Sequence, residues 1–257
     1  MKKYRILVTN DDGIDAPGIR KLIEIAKDYG NVTVVAPDSP RSGQGHAITM
    51  NIPLRLEELY RQNGHAEYKC SGTPVDCVKL AEKAILKGNA DLVLSGINHG
   101  SNASINIIYS GTLAAVLEAA IEGVPAIGFS LLNWANDANF DNGEQFVRQI
   151  IENVLEEGLP QHVGLNVNIP DIPENEIKGI KVCRQAKAYW DEEFDLRQDP
   201  HKRDYYWLTG VFKNLDEHND TDEWALKHGY VSVVPVQADF TAHNSLHFLK
   251  KWESNAK

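Results

Sequence analysis

The stretch ILVTNDDGIDAPG, Ile6 to Gly18, runs from an apolar strand signal straight into a turn that sets Asp11 beside Asp12. Adjacent carboxylates repel one another, so the pair is either a solvated turn or part of a site that brings in a counter-charge. Upstream, Tyr4 to Thr9 form a short apolar run. Downstream, Ile19, Leu22, Ile23 and Ala26 recur at helical spacing, with Pro17 near the start. Strand, polar turn and helix in that order open a βαβ unit.

The same rhythm continues. NVTVVAP (31–37) is a β-branched strand, and DSPRSGQGHAI (38–48) a turn-rich loop. HAITMNIPLRLEEL (46–59) and HAEYKCSG (65–72) read as extended segments, with RQNG (61–64) as a hairpin turn. SGTPVDCVKLAEKAIL (71–86) reads as a helix with Thr73 as N-cap, Pro74 first inside and Asp76 three after the cap. ADLVLSG (90–96), VPAIGFSL (124–131) and HVGLNVNIP (162–170) are further strands. YSGTLAAVLEAAIEG (109–123) and GEQFVRQIIENVLEEG (143–158) are further helices. The expected fold is α/β: a Rossmann-like three-layer core over 1–173 with a mainly parallel sheet and helices on both faces. After Pro173 the alternation stops. IKGIKVCRQA, DYYWLTGVF and GYVSVVPVQ read as strands, and DEEFDLRQDPHKRD and KNLDEHNDTDEW as charged connections. Residues 174–257 are expected to be a strand-rich extension that contacts another subunit.

At 257 residues the chain has length for one large domain, or one domain and an extension. A net charge of −10 opposes binding to nucleic-acid polymers or anionic membranes, which need a basic field. A bound cation still allows a small anionic substrate. No stretch approaches the ~20 apolar residues of a membrane span, and the N-terminus lacks the apolar core of a signal peptide. Cys70, Cys77 and Cys183 show neither a zinc pattern nor a disulfide framework, which suits reduced thiols in the cytoplasm.

In an open parallel sheet, ligands bind at the carboxyl ends of the strands. Three such ends carry polar loops here: Asn10 to Gly13, the loop with Asp38, Arg41, Ser42 and Gly43, and SGINHGSN with Ser95, Asn98 and Asn102. Together they offer carboxylates, hydroxyls and amides, a donor set for a hard cation such as Mg²⁺ or Mn²⁺. Successive strand side chains point to opposite faces, so both aspartates can reach one ion only if the chain leaves strand geometry there. Gly13 permits that. The tripeptide Ser-Gly-Thr occurs twice before a helix, at 71–73 and 110–112. Ser71 to Thr73 is read as a cap alone. Ser110 to Thr112, close behind the third polar loop, is read as a phosphate site, since free N–H groups and the helix dipole favour an anion.

Competing architectures fail on residues. A receiver domain needs an Asp at a later central strand end, where DLVLSGIN has Ser and Asn. A haloacid-dehalogenase-type phosphatase needs Asp-x-Asp, and Asp11 and Asp12 are adjacent. NDDGIDAPG is not the dinucleotide-binding G-x-G-x-x-G.

TNDDGIDAPG, VVAPDSPRSG, SGTPVDCV, SGINHGSN, YSGTLAA, YYWLTG and GYVSVVPVQADFTAH together resemble the survival protein SurE family, over nearly the whole chain. The resemblance implies a metal-dependent nucleotidase acting on nucleoside 5′- and 3′-monophosphates, with short polyphosphate as a substrate of some members. It implies one divalent cation per subunit, Mg²⁺ or Mn²⁺, held by residues that map onto Asp11, Asp12, Ser42 and Asn98. It also implies a homodimer or homotetramer that exchanges C-terminal elements. NASINIIYSGT departs from the family pattern, with Ser104 and Asn106 where a Gly and an acid are common; neither maps to a ligand.

In the mechanism expected from these residues, Asp11 and Asp12 hold the ion and one of them orients or deprotonates the attacking water. Asn10, Gly43, Ser110, Gly111 and Thr112 donate to phosphoryl oxygens. A non-catalytic nucleotide-sensing module is the alternative. His46 and His99 lie beside the site loops and are read, like His243, as polar loop residues rather than acids to the leaving oxygen. Tyr205, Tyr206 and Trp207 are read as interface or core aromatics.

Overall fold

The computed structural model describes residues 3–135 and 137–253. β1 (Tyr4–Thr9) is followed by α1 (Pro17–Ala26), β2 (Gly30–Pro37), and the hairpin of β3 (Leu56–Gln62) and β4 (His65–Cys70). α2 (Pro74–Leu80), β5 (Leu92–His99), α3 (Gly111–Ile121), β6 (Ala126–Leu131), α4 (Glu144–Glu157) and β7 (Gly164–Ile169) complete the alternating part. Then come β8 (Ile180–Val182), β9 (Ala188–Gln198), β10 (Asp204–Asn214), α5 (Asp222–Lys227) and β11 (Val231–Val236).

One nine-stranded sheet forms in the order β3-β4-β2-β1-β5-β6-β7-β11-β8. Strands β4 to β7 in that order are parallel to their neighbours, while β3 and β11 enter antiparallel to β4 and β7. Ile6 and Val8 face a cluster with Ile19 and Leu22 of α1 and Val147 and Ile151 of α4. Leu7 and Val93 face the other side, with Val78 of α2 and Leu113 and Val116 of α3. Alternate strand residues thus fill two separate cores, which makes the three layers. α3 is buried from Gly111 to Ala120, because α2 covers the side that the sheet does not. At about 1.5–3 kcal/mol per buried aliphatic side chain, this double burial holds α3 against the sheet far more firmly than helix propensity could.

Asn63-Gly64 closes the β3–β4 hairpin with positive φ at both positions, the turn expected of that dipeptide. Other local expectations shift. Between Ala47 and Arg55 the chain is irregular, and strand pairing begins only at Leu56. The expected helix over 71–86 is α-helical to Leu80 and then widens into a π-turn over Ala81–Ile85. DEEFD is no connection: it lies within β9, paired with β10 from Ala188↔Asn214 to Gln198↔Asp204. Both faces of this hairpin are largely exposed, so charge does not oppose strand formation there. Lys213 pairs with Asp191 across it. Tyr205, Tyr206 and Trp207 are exposed on β10 and are not core in this chain. KNLDEHNDTDEW contains the start of α5, capped where the Thr221 hydroxyl accepts the Trp224 N–H. Beyond residue 173, β8 and β11 join the main sheet, while β9 and β10 pair only with each other.

Candidate active site

β1 ends where its sheet neighbours do, and the chain then turns across their carboxyl ends. Asn10 is fully buried and its Nδ2 donates to the Gly13 carbonyl at 2.8 Å, closing the turn. Gly13 sits at φ +99°, a conformation that L side chains rarely adopt, and Ile14 N–H donates to the Pro37 carbonyl at the end of β2. The turn sends the two aspartates to different elements. Asp11 meets the start of α3, where Thr112 Oγ1 donates to its Oδ1 at 2.5 Å and the Gly111 N–H also points at its carboxylate. A Cβ on residue 111 would stand 2.6 Å from Asp11 Cβ, so only glycine admits this approach. Asp12 faces the end of β5, its Oδ2 accepting the His99 N–H at 3.3 Å.

Asp11 is 3% exposed, which rules out a solvated turn. Burial pushes its carboxyl up to about 6, against the Thr112 hydrogen bond, and the neighbouring Asp12 charge raises it further. Burial also raises Asp12. Among the described residues, no lysine, arginine or histidine forms an ion pair with either carboxylate.

The other two polar loops arrive at the same end of the sheet. Arg41 N–H donates to the Asp11 carbonyl at 2.7 Å, and its guanidinium reaches Asp38 and the Ser71 carbonyl. Ser42 follows directly on this anchor and is exposed, as is Gly43. Gly45 N–H donates to the Tyr109 carbonyl, joining this loop to the residues before Ser110. On β5, Asn98 is buried and its Nδ2 donates to the His99 and Gly100 carbonyls, both at 3.0 Å, which leaves Oδ1 as its spare acceptor. Asn102 is set by a buried amide network: its N–H donates to Asn168 Oδ1, its Nδ2 to Ser130 Oγ, and its carbonyl accepts from Asn166.

Ser110 caps α3, its Oγ accepting the Leu113 N–H at 3.1 Å, so its own hydroxyl proton stays available. The Thr112 hydroxyl donates to Asp11, and the Asn10 amide gives one of its two N–H groups to the Gly13 carbonyl. Ser71 to Thr73 is fully used as a cap. Thr73 and Asp76 exchange reciprocal bonds, and the Thr73 hydroxyl donates to the Ala47 carbonyl. His46 bonds Glu118 at 2.9 Å, His99 packs edge-on against Phe140, and His243 pairs with Asp239.

Four buried polar residues around the site escaped the sequence reading. Asn166 and Asn168 stand at period two among apolar strand residues, and that interruption was the available signal. Glu118 is a lone acid in an otherwise apolar stretch of α3, where Lys79 and His46 both reach it. Asp222 receives the N–H groups of Ser104, Ala186 and Glu223 at 2.8–2.9 Å, and ties the segment before α3 to the C-terminal part. Nothing in the sequence near 222 marks that role.

Two desolvated carboxylates with no ion-pair partner among the described residues are the kind of oxygen donor that suits a hard divalent cation, and Ser42 and Asn98 lie on the two loops that meet this turn. Among the described residues, no group of three or more His, Cys, Asp or Glu side chains is placed to hold a metal ion.

Comparison with known proteins matches residues 6–192 to the family model "Survival protein SurE". A 5'-nucleotidase SurE of Christiangramia forsetii is 60% identical over 256 residues, covering 99% of this chain and 98% of that protein. One from Flavobacterium psychrophilum is 58% identical, covering 99% and 100%. The crystal structure of the SurE protein from Aquifex aeolicus superposes with a TM-score of 0.83 at 39% identity, covering 97% of this chain and 99% of that one. Full-length identity of this order, on the same sheet and with the buried Asp11–Asp12 turn at its carboxyl end, means that the chain belongs to the survival protein SurE family.

Proposed function

We propose that this chain is a phosphomonoesterase that hydrolyses nucleoside 5′-monophosphates, and their 3′ counterparts, to nucleoside and phosphate, with short-chain polyphosphate as a further substrate. The observation that carries this reading is the buried Asp11–Asp12 pair set against the start of α3. Relatives named 5'-nucleotidase SurE support it. The same pair argues against a non-catalytic sensing module, because phosphate recognition alone gains nothing from two uncompensated carboxylates.

Asp11, Asp12, Ser42 and Asn98 would hold one divalent cation, Mg²⁺ or Mn²⁺. When bound, it supplies Lewis-acid neutralisation of phosphoryl charge and makes water easier to deprotonate. The chain's own groups do the rest. Thr112 and the Gly111 N–H fix the Asp11 carboxylate, and the His99 N–H fixes that of Asp12, so neither must reorganise during the reaction. One of the two accepts the proton of the attacking water. The Ser110 hydroxyl, the Thr112 N–H and the loop at Gly43 donate to phosphoryl oxygens, aided by the positive end of the α3 dipole. The β9–β10 hairpin, with exposed Trp190, Phe194, Tyr206 and Trp207, supports assembly into a homodimer or homotetramer.

The test is phosphate release from AMP. Asp11→Asn and Asp12→Asn should each abolish it, and EDTA should abolish it in the unaltered protein. Full activity of both variants in EDTA would overturn the reading.

A further inference from the structure

Ser104 to Tyr109 form a tight 3₁₀ turn that feeds directly into Ser110, the cap of α3. The two ends of this turn are pinned from different directions. Ser104 sits at φ +54°, uncommon for a serine. It is held there by its N–H on the Asp222 carboxylate at 2.8 Å and its hydroxyl on the Ala186 carbonyl at 2.9 Å. At the other end the Tyr109 carbonyl accepts the Gly45 N–H at 3.1 Å, and the Ile107 carbonyl accepts the Ser110 N–H at 3.3 Å. The turn therefore bears on both the phosphate end of α3 and the loop that carries Ser42 and Gly43.

Asn106 lies in the middle of the turn, half-buried, and nothing in the proposed reaction uses it. Its Oδ1 accepts the indole N–H of Trp190, on β9, at 2.8 Å. An indole N–H only donates, so the amide must present its oxygen. Among the described residues, this is the one hydrogen bond that β9 or β10 makes to any residue before β9. The hairpin sets the indole in turn. Trp190 and Phe212 stand opposite each other across β9 and β10, and their rings meet edge-on with centroids 5.5 Å apart. With both of its faces largely exposed, the hairpin takes its position from few contacts, and Trp190 is where that position reaches the site.

We propose that Asn106 is a positioning residue, which ties the turn before Ser110 to the β9–β10 hairpin through Trp190. When the bond is lost, the turn slackens between its pinned ends. The Ser110 hydroxyl and the Gly45 end of the adjoining loop then lose their register with the buried aspartates. The assignment rests on the phosphomonoesterase reading for the reaction that it serves.

The test is a double-mutant cycle on the full chain with Mg²⁺ present: Trp190→Phe, which keeps the ring on Phe212 and removes the donor, Asn106→Ala, and both together. Asn106→Asp, which keeps an acceptor for the indole, is the rescue. A shift of about 1 Å in a positioning group can cost on the order of 10²-fold, so a partial loss of register should lower kcat/KM for AMP by about tenfold in each single variant. The double variant should lose no more than the worse single one, because both remove the same bond. Asn106→Asp should retain most of the activity. Unchanged singles, losses that multiply in the double variant, or an Asn106→Asp as poor as Asn106→Ala would each overturn the proposal. Hydrogen exchange in EDTA is the second readout, and it needs no turnover. Segments 41–46 and 104–112 should exchange faster in Trp190→Phe and Asn106→Ala than in the unaltered protein or Asn106→Asp, while β1 and β5 keep their protection. Equal exchange in all four proteins, or a rise spread over the whole sheet, would overturn the proposal. If the unaltered protein releases no phosphate from AMP, the phosphomonoesterase reading fails, and the exchange pattern alone decides whether Asn106 holds the turn.

Discussion

Replacing Asp11 by asparagine should end activity and yet stabilise the metal-free protein. The folded-state carboxyl sits at about 6, against an ordinary value of 3.8, with burial as the main cause. Because the folded value is raised, the stability linked to this group is fully present below about 3.8 and is lost as pH rises through about 6. The difference corresponds to about 3 kcal/mol of cost at neutral pH, at about 1.36 kcal/mol per pH unit. Asparagine removes the charge and keeps an acceptor for the Thr112 hydroxyl, but its amide meets the Gly111 N–H donor to donor. Losing that bond returns about 1–2 kcal/mol, so the net gain is about 1–2 kcal/mol, or roughly 2–6 °C in Tm for a chain of this size. The assay is thermal unfolding in EDTA at pH 7.5 and at pH 4. The gain should appear at pH 7.5 and vanish at pH 4, and Mg²⁺ should raise the Tm of the unaltered protein more than that of the variant. A variant less stable at pH 7.5 in EDTA, or a gain independent of pH, would refute the reasoning.

Glu82 is buried with neither carboxylate oxygen hydrogen-bonded among the described residues, and burial followed by the Glu122 charge raises its carboxyl. Glu82→Met should therefore raise the unfolding free energy in a urea titration at pH 7.5 by about 1–3 kcal/mol, and less at pH 4.5, where the native acid is closer to neutral. Gly111→Ala places a Cβ 2.6 Å from Asp11 Cβ and should cost about 1–3 kcal/mol in thermal unfolding, with loss of AMP hydrolysis. Thr73→Ala removes a cap and should cost about 1 kcal/mol in a urea titration. AMP turnover should persist in that variant, and its loss would mean that Ser71 to Thr73 does more than cap α2.

Local rules were legible where one chemical reason acts alone. Asn63-Gly64 has a single favoured hairpin geometry, and Thr73 with Asp76 completes its box without help from elsewhere. The paired aspartates could be read as a candidate site because repulsion demands an explanation wherever they sit, and the structure buries the first of them against α3. The destination of a hydroxyl could not be read. Thr112 and Ser110 look alike before a helix, and only the packed sheet shows that the first turns to Asp11 and the second caps α3. Long pairings were equally hidden. DEEFD is charged enough to read as a connection, yet it forms strand because both faces of its hairpin meet solvent. Asn166 and Asn168 read as ordinary strand residues until Asn102 arrives from sixty-odd positions earlier to use them.

The carboxylate of Asp222 has a consequence for the order in which the protein is built. It fixes the backbone of Ser104, a few residues before α3, and of Ala186, leading into β9. A ribosome delivers residue 104 long before residue 222. The Ser104 end of the loop that leads into the phosphate end of α3 therefore lacks this anchor until almost half the chain more has been synthesised. A chain that stops short of α5 keeps every residue proposed for the chemistry and lacks the clamp that holds their approach in place.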